Sequence, residues 1–174
     1  SPTDFYHLPR RLHEKFNANV RVLLLRGHGT RVEDLDDVSY DDLISQLSTA
    51  LAADLALGRK IVLCGVSMGE LLALILASQF KVAGVINVSS PYFFKFPFNL
   101  PGLRLLGKLK KYWSKSARSE IESELRDGSF SYIKMHKNGL IIAQEAKKVL
   151  EANIKNINCP ILTIHSRTDR IGSY

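Results

Sequence analysis

The sequence is poor in cysteine and has no long apolar run. Its two cysteines, Cys64 and Cys159, both lie in apolar, strand-like stretches. We therefore expect no disulfide framework, and we expect the protein to reside in a reducing compartment. No apolar stretch approaches the roughly 18 to 20 residues that cross a bilayer, and the first residues show no signal-peptide pattern. We therefore predict a cytoplasmic protein.

Motifs for metals and nucleotides are also missing. No two histidines have the H-x-x-x-H spacing of a metal site, and the two cysteines are too far apart in the chain to form a ligand pair. No G-x-G-x-x-G follows a strand-like run, and there is no Walker phosphate loop. The sequence thus predicts neither a metal nor a cofactor. The net charge of +7 favours anionic partners in general, but the basic residues are mostly dispersed and nucleic-acid binding is not predicted.

What the sequence does contain is an alternation of apolar strands and helices. Hydrophobic residues make up 45% and charged residues 24% of the 174 residues, as in a single globular domain. Strands are predicted at 20–25, 60–65, 82–90 and 160–165, and helices at 5–16, from a Ser39 cap to about 51, at 68–80 and at 132–152. This alternation predicts an α/β fold with a largely parallel sheet.

One turn in this pattern carries a chemical signal, the sequence GVSMG at 65–69. A chain that reverses here strains the backbone of Ser67, and we expect no room for side chains at Gly65 and Gly69. The hydroxyl of Ser67 is then exposed at the carboxyl end of the sheet, where the Met68 N–H and the helix N-terminus can stabilise an oxyanion. The alternative is a glycine-lined turn that merely contains a serine. A strand before it and a helix after it favour a nucleophile.

Four segments, in the order LLLRGHG, GVSMG, VAGVINVSSP and CPILTIHSRTD, resemble those of the α/β-hydrolases, closest to the carboxylesterase and monoacylglycerol-lipase branch. The resemblance implies an α/β-hydrolase fold, a mostly parallel sheet flanked by helices with a cap insertion. It also implies a serine hydrolase that cleaves short- or medium-chain esters or monoacylglycerol-like lipids. By this resemblance Ser67 is the nucleophile, Met68 an oxyanion-hole donor and Asp169 the triad acid.

The same resemblance divides the chain into core residues 1–90, a cap at 91–134 and core residues 135–174. The cap segment holds aromatic residues, prolines and a basic cluster formed by Lys108, Lys110, Lys111 and Lys115. One interpretation is a lid with an apolar inner face for an acyl chain and a basic outer face that touches anionic lipid. The other is an ordinary cap whose lysines keep it soluble.

The sequence departs from the family pattern in several places. The family's catalytic histidine follows the acid, but none of the five residues after Asp169 is a histidine. The family's second oxyanion loop is missing, and so is a central strand that normally lies in the sheet between the strands VRVLLL and KIVLCG. The opening residues SPTD have the pattern of a helix N-cap. We therefore expect an incomplete sheet in a fragment whose histidine lies beyond Tyr174, although a four-stranded sheet could pair directly. Glu70, where relatives carry a small residue, is expected to be solvated at the helix start.

The five histidines present offer one alternative base. His165 ends the last predicted strand, four residues before Asp169, whereas His28 is interpreted as stabilising a turn and His7, His13 and His136 as surface or boundary residues. Two other functions stay open. GVSMGE also resembles the nucleophile turn of malonyl-type acyltransferases, and a non-catalytic binding module is the third possibility. The sequence makes no prediction of oligomeric state.

Overall fold

The computed structural model describes residues 5, 7–89, 111–114, 132 and 134–167. Its helices are α1 (Leu8–Phe16), α2 (Tyr40–Ala56), α3 (Met68–Gln79) and α4 (Lys137–Asn153), with short 3₁₀ helices at Val32–Leu35 and Ile154–Asn156. Its strands are β1 (Val62–Val66), β2 (Gly84–Val88), β3 (Tyr112–Ser114), β4 (Lys134–His136) and β5 (Ile161–Ile164). No helix among these residues is long and apolar enough to cross a membrane.

A parallel sheet in the order β1-β2-β5 forms the centre of the fold. Its register aligns Val66 with Val88 and Val88 with Ile164, so all three strands end at the same edge. The predicted α/β fold with a parallel sheet is therefore confirmed. Strands β3 and β4 form a separate antiparallel pair, in which Tyr112 faces His136.

The core lies between the sheet and helices α2, α3 and α4. Helix α3 is buried from Glu70 to Ala77, because it packs on β1 and β2 on one side and on α2 and α4 on the other. The largest fully buried side chains are Leu43, Leu71, Leu72, Ile75, Ile142, Leu150 and Val85. The opposite face of the sheet is apolar but open to solvent, since Val62, Leu162 and Ile164 are all more than half exposed.

The predicted strand at 20–25 is not formed. Val20, Val22 and Leu24 are 39%, 37% and 51% exposed, and the segment is tied to α2 by side chains instead. Gln46 Nε2 donates to the Leu24 carbonyl at 2.9 Å and Gln46 Oε1 accepts the Arg26 N–H at 3.1 Å. The physical reason is that a strand needs a neighbour to satisfy its backbone groups. Among the described residues β1 pairs only with β2. The alternative prediction, a four-stranded sheet in which 20–25 pairs directly with 60–65, was therefore wrong.

Helix boundaries were predicted with mixed success. The cap of α2 is confirmed, because Ser39 Oγ accepts the Asp42 N–H at 3.1 Å and Asp42 Oδ2 accepts the Ser39 N–H at 2.9 Å. The predicted helix at 132–152 begins later, at Lys137, because the residues before it pair as β4. His136 was wrongly predicted as a surface or boundary residue: its side chain is fully buried beside the Tyr112 ring.

Candidate active site

Ser67 is the single residue that joins β1 to α3. Its backbone has φ 53° and ψ −124°, a conformation that a residue with a Cβ adopts only at an energetic cost. Two hydrogen bonds hold it there. The Ser67 N–H donates to the Val88 carbonyl at 3.0 Å, and the Ser67 carbonyl accepts the Glu70 N–H at 2.9 Å. The residue is exposed, and its hydroxyl does not cap the helix, so it is accessible at the sheet edge.

The two glycines of the turn have different surroundings. A Cβ added to Gly65 would overlap the backbone of Gly69 and Glu70, whereas one added to Gly69 would meet nothing within 4 Å. The prediction that neither position has room for a side chain is therefore confirmed for Gly65 and wrong for Gly69. Gly65 lies directly under the first turn of α3, and this close approach is what allows the sharp reversal at Ser67.

Met68 is the first residue of α3. Backbone N–H groups in the first turn of a helix have no intrahelical acceptor, and the helix dipole adds partial positive charge there. The Met68 side chain packs against the hydrophobic core, which anchors this turn. The arrangement is suited to stabilising negative charge that develops next to the Ser67 hydroxyl.

Two buried polar residues flank the turn. Glu70 is only 3% exposed, so its prediction as a solvated acid was wrong: α3 enters the core within one turn of Ser67 and carries this side chain with it. Asn87 is also 3% exposed, and it pairs in register with Gly65. Its Oδ1 has no hydrogen-bond partner within the described part of the chain. The sequence analysis missed Asn87; its only signal is one polar residue in the apolar run VAGVINV.

A row of polar residues follows the three strand ends. The register that aligns Val66, Val88 and Ile164 makes Ser67, Ser89 and His165 the next residues along β1, β2 and β5. Ser89 also has a positive φ, 54°, and its N–H donates to the Ile164 carbonyl at 2.9 Å. His165 is thus two strands from Ser67, about 10 Å between Cα atoms at the usual strand spacing, with Ser89 between them. This placement disfavours His165 as the base for Ser67.

The remaining predicted site residues are only partly described. Asp169, together with Lys108, Lys110 and Lys115, lies outside the described residues. Lys111 is described, and its Nζ lies 2.5 Å from Asp36 Oδ2. It is therefore paired with a solvent-accessible carboxylate that follows the first 3₁₀ helix.

The loop around His28 fits the interpretation as a stabilised turn. Gly27 and Gly29 have φ values of 73° and 78°, which glycine adopts without strain. The His28 N–H donates to the Leu25 carbonyl at 3.0 Å, and the ring lies 6.3 Å from that of Tyr132. The Tyr132 hydroxyl donates to the Gly27 carbonyl at 3.0 Å.

Comparison with known proteins places this fold among lipolytic enzymes. No protein-family model and no curated protein sequence matches the chain. A solved structure described under "LipS and LipT, two metagenome-derived lipolytic enzymes" aligns over 99% of this chain and 69% of its own, with a TM-score of 0.81 and 20% identity. A monoacylglycerol lipase from Paleococcus ferrophilus aligns over 78% of this chain and 57% of its own (TM-score 0.59, 15% identity). Phospholipase PlaB from Legionella pneumophila aligns over 94% and 36% (TM-score 0.52, 16% identity).

The chain therefore shares its fold with these structures, which confirms the predicted α/β-hydrolase fold. It spans part of the length of each of these structures. At identities of 20% and below, the similarity establishes the fold, while chemistry and substrate have to be argued from the residues at the sheet edge.

Proposed function

We propose that this protein is a serine hydrolase of carboxylic esters and that Ser67 is its nucleophile. The observation that carries the proposal is the backbone of Ser67, which has a positive φ of 53° in an exposed residue between strand β1 of the parallel sheet and the buried helix α3. Strain of this kind persists where surrounding structure enforces it, and it is concentrated at functional sites. The lipolytic enzymes of the same fold add support for ester substrates.

The proposed reaction proceeds through an acyl-enzyme. Ser67 Oγ attacks the ester carbonyl carbon while a general-base histidine takes the hydroxyl proton, and Asp169 holds that histidine in the required tautomer. The Met68 N–H stabilises the oxyanion. Collapse of the tetrahedral intermediate expels the alcohol, which receives the proton from the histidine. Water, activated by the same histidine, then releases the carboxylic acid and restores Ser67.

The proposed substrates are short- or medium-chain esters or monoacylglycerol-like lipids, bound beneath a cap formed by residues 91–134. Core residues 1–90 and 135–174 flank this cap. The contacts of Tyr132 with the Gly27 carbonyl and of Lys111 with Asp36 support it, because they hold two parts of the 91–134 segment on the core. Weak contact of the cap with a membrane surface is a lesser part of the proposal, since Lys111 is already paired.

A fluorophosphonate probe tests the nucleophile, since it labels activated serines covalently. We expect the adduct on the peptide that contains Ser67, and we expect Ser67→Ala to abolish labelling. Ser89→Ala is the matched control because Ser89 has the same positive φ and the equivalent place on the neighbouring strand; it should label normally. Labelling on a different serine, or full esterase activity in Ser67→Ala, would refute the proposal.

One observation favours a second candidate, an acyltransferase. The buried Glu70 completes the sequence GVSMGE, which resembles the nucleophile turn of malonyl-type transacylases. Hydrolysis and transfer share the acyl-enzyme and differ in the group that accepts the acyl chain. Product release that depends on an added thiol or alcohol rather than on water would favour transfer. If the folded protein is not labelled by the fluorophosphonate probe at any serine, the result would favour the third possibility, a non-catalytic binding module.

A further inference from the structure

Three distant parts of the chain meet at a small charged cluster. Asp36 follows the first 3₁₀ helix, Lys111 precedes β3 and His136 ends β4. Lys111 Nζ lies 2.5 Å from Asp36 Oδ2, and His136 Nε2 lies 3.0 Å from Asp36 Oδ1. The second contact is an ion-pair distance without the alignment of a full hydrogen bond. One carboxylate therefore faces two basic groups.

His136 is the buried member of this cluster. Its side chain is 0% exposed, whereas Asp36 and Lys111 remain partly open to solvent. His136 is also the N-cap of α4, and its Nδ1 accepts the Asn138 N–H at 3.1 Å. That hydrogen bond requires an unprotonated Nδ1, so the single proton of the neutral ring is on Nε2, facing Asp36.

Neighbouring hydrogen bonds make the cluster a junction between the β3–β4 pair and the core. The Asn138 amide donates to the Leu35 carbonyl at 2.9 Å and to the Asp36 carbonyl at 2.6 Å. The Tyr112 hydroxyl donates to Glu33 Oε1 at 3.1 Å. In addition, the Lys137 N–H donates to the Lys111 carbonyl at 3.0 Å. The 3₁₀ helix, the β3–β4 pair and the first turn of α4 are thus joined at one place.

Burial is the main reason that the His136 ring is neutral. Burial lowers its pKa from the ordinary value of 6.5, Lys111 and Lys137 act in the same direction, and Asp36 opposes them. The hydrogen bond from Lys111 lowers the pKa of Asp36, so this carboxylate stays ionised near neutral pH. The titratable or charged groups around this site come from four elements. They are Glu33 in the first 3₁₀ helix and Asp36 just after it, Lys111 and Tyr112 beside or in β3, Lys134 in β4 and Lys137 in α4.

We propose that Asp36, Lys111 and His136 form a proton-operated latch, which holds the β3–β4 pair against the 3₁₀ helix and releases it when His136 is protonated. The proposal concerns the conformation of the protein and does not depend on the proposed hydrolase activity. It differs from an ordinary surface ion pair because the titrating group is buried and also caps a helix.

Protonation would break the junction in two ways. A proton on Nδ1 removes the acceptor of the Asn138 N–H and places a positive charge at the N-terminus of α4, where the helix dipole disfavours it. It also leaves one carboxylate to balance two cations, with Lys137 close by. Because the pKa of His136 is lowered in the closed state, the open state binds the proton more readily. The latch is therefore fully closed above pH 6.5 and weakens as the pH falls below it.

Trp113 provides a direct readout, since it is the chain's single tryptophan and lies in β3. We would record its fluorescence emission from about pH 8 to about pH 5, the range over which histidine titrates, with far-UV circular dichroism as a check that the fold is retained. We expect a reversible change in emission that begins below pH 6.5. His136→Asn keeps a cap acceptor for Asn138 but cannot titrate, so its emission should stay constant over this range.

Asp36→Asn and its neighbour Asp37→Asn form a matched pair. Loss of the Asp36 charge weakens the closed state, so its transition should move to higher pH, by roughly one unit for each tenfold loss of latch stability. Asp37 is exposed, and its variant should behave as the wild type. A wild-type emission that is constant with pH, a transition that survives in His136→Asn, or equal shifts in both aspartate variants would overturn the latch. If His136→Asn does not fold, the aspartate pair decides the question alone.

Discussion

Gly65 and Gly69 flank the same serine, but only one of them requires glycine. A methyl group at Gly65 would overlap the backbone of Gly69 and Glu70. Backbone atoms in a helix turn cannot move away without distorting β1 or α3. At the scale of single residues, the turn between β1 and α3 therefore depends on Gly65 and on the enforced conformation of Ser67. Gly69 contributes little to it.

This difference gives a prediction with its own control. Gly65→Ala should lower the free energy of unfolding by about 1–3 kcal/mol or more, the range for overpacked sites. Gly69→Ala has open space and lies in a helix, where alanine is better than glycine by about 1 kcal/mol, so it should be neutral or stabilising. Urea unfolding midpoints of the two variants measure the difference. Equal losses would show that the turn is not packed as described.

Among the elements, α2 has the best-defined beginning. The reciprocal bonds between Ser39 and Asp42 form a capping box, and the Ser39 hydroxyl, with help from Arg26, lowers the pKa of Asp42 from 3.8. An acid whose pKa is lowered on folding stabilises the protein above its unfolded pKa and loses this effect as the pH falls through the folded value. The cap should therefore be strongest at neutral pH.

Ser39→Ala removes this cap and should lower the free energy of unfolding by about 1 kcal/mol at neutral pH. Below pH 3.8, where Asp42 becomes protonated in the unfolded and then in the folded chain, the difference between variant and wild type should shrink. Ser45→Ala is the control: Ser45 is exposed within α2, and alanine there should be neutral or slightly stabilising. Thermal unfolding at several pH values gives the comparison, and a pH-independent loss would contradict the role of Asp42.

At the scale of the molecule, the three-stranded sheet has two edge strands within the described part of the chain, β1 and β5, and one open face. Among the described residues β1 pairs only with β2, and Val62, Leu162 and Ile164 expose apolar surface on the uncovered face. An unpaired strand edge next to exposed apolar side chains is a template for association. The 174-residue chain on its own should therefore tend to aggregate.

The 174-residue chain is also predicted to be a poor esterase. Its sequence offers Ser67, Met68 and Asp169 but no histidine after Asp169. Members of a catalytic triad act as a unit, so a chain without the base loses most of the rate enhancement. Turnover of a p-nitrophenyl ester by purified chain of verified mass tests this. Robust activity that Ser67→Ala abolishes would point to His165 as the base.

Local sequence determined the fold class and the nucleophile turn. Strands β1, β2 and β5 lie within the predicted runs 60–65, 82–90 and 160–165 or overlap them, and GVSMG forms the expected sharp turn at Ser67. These features depend on residues close together in the chain: apolar runs, a Ser39 cap and a glycine where the backbone approaches itself. Such short-range signals are present in the sequence whatever the rest of the molecule does.

Only the tertiary structure decided which residues are paired and which are buried. The run at 20–25 has the composition of a strand but is not one, because it pairs with no strand within the described residues. Glu70 and His136 look like solvated polar residues in sequence, yet both are buried, since α3 enters the core at Glu70 and β3 covers His136. Strand pairing and burial depend on residues that are far apart in the chain, as Asp36, Lys111 and His136 are. Tertiary packing brings such residues together, and no local sequence pattern predicts it.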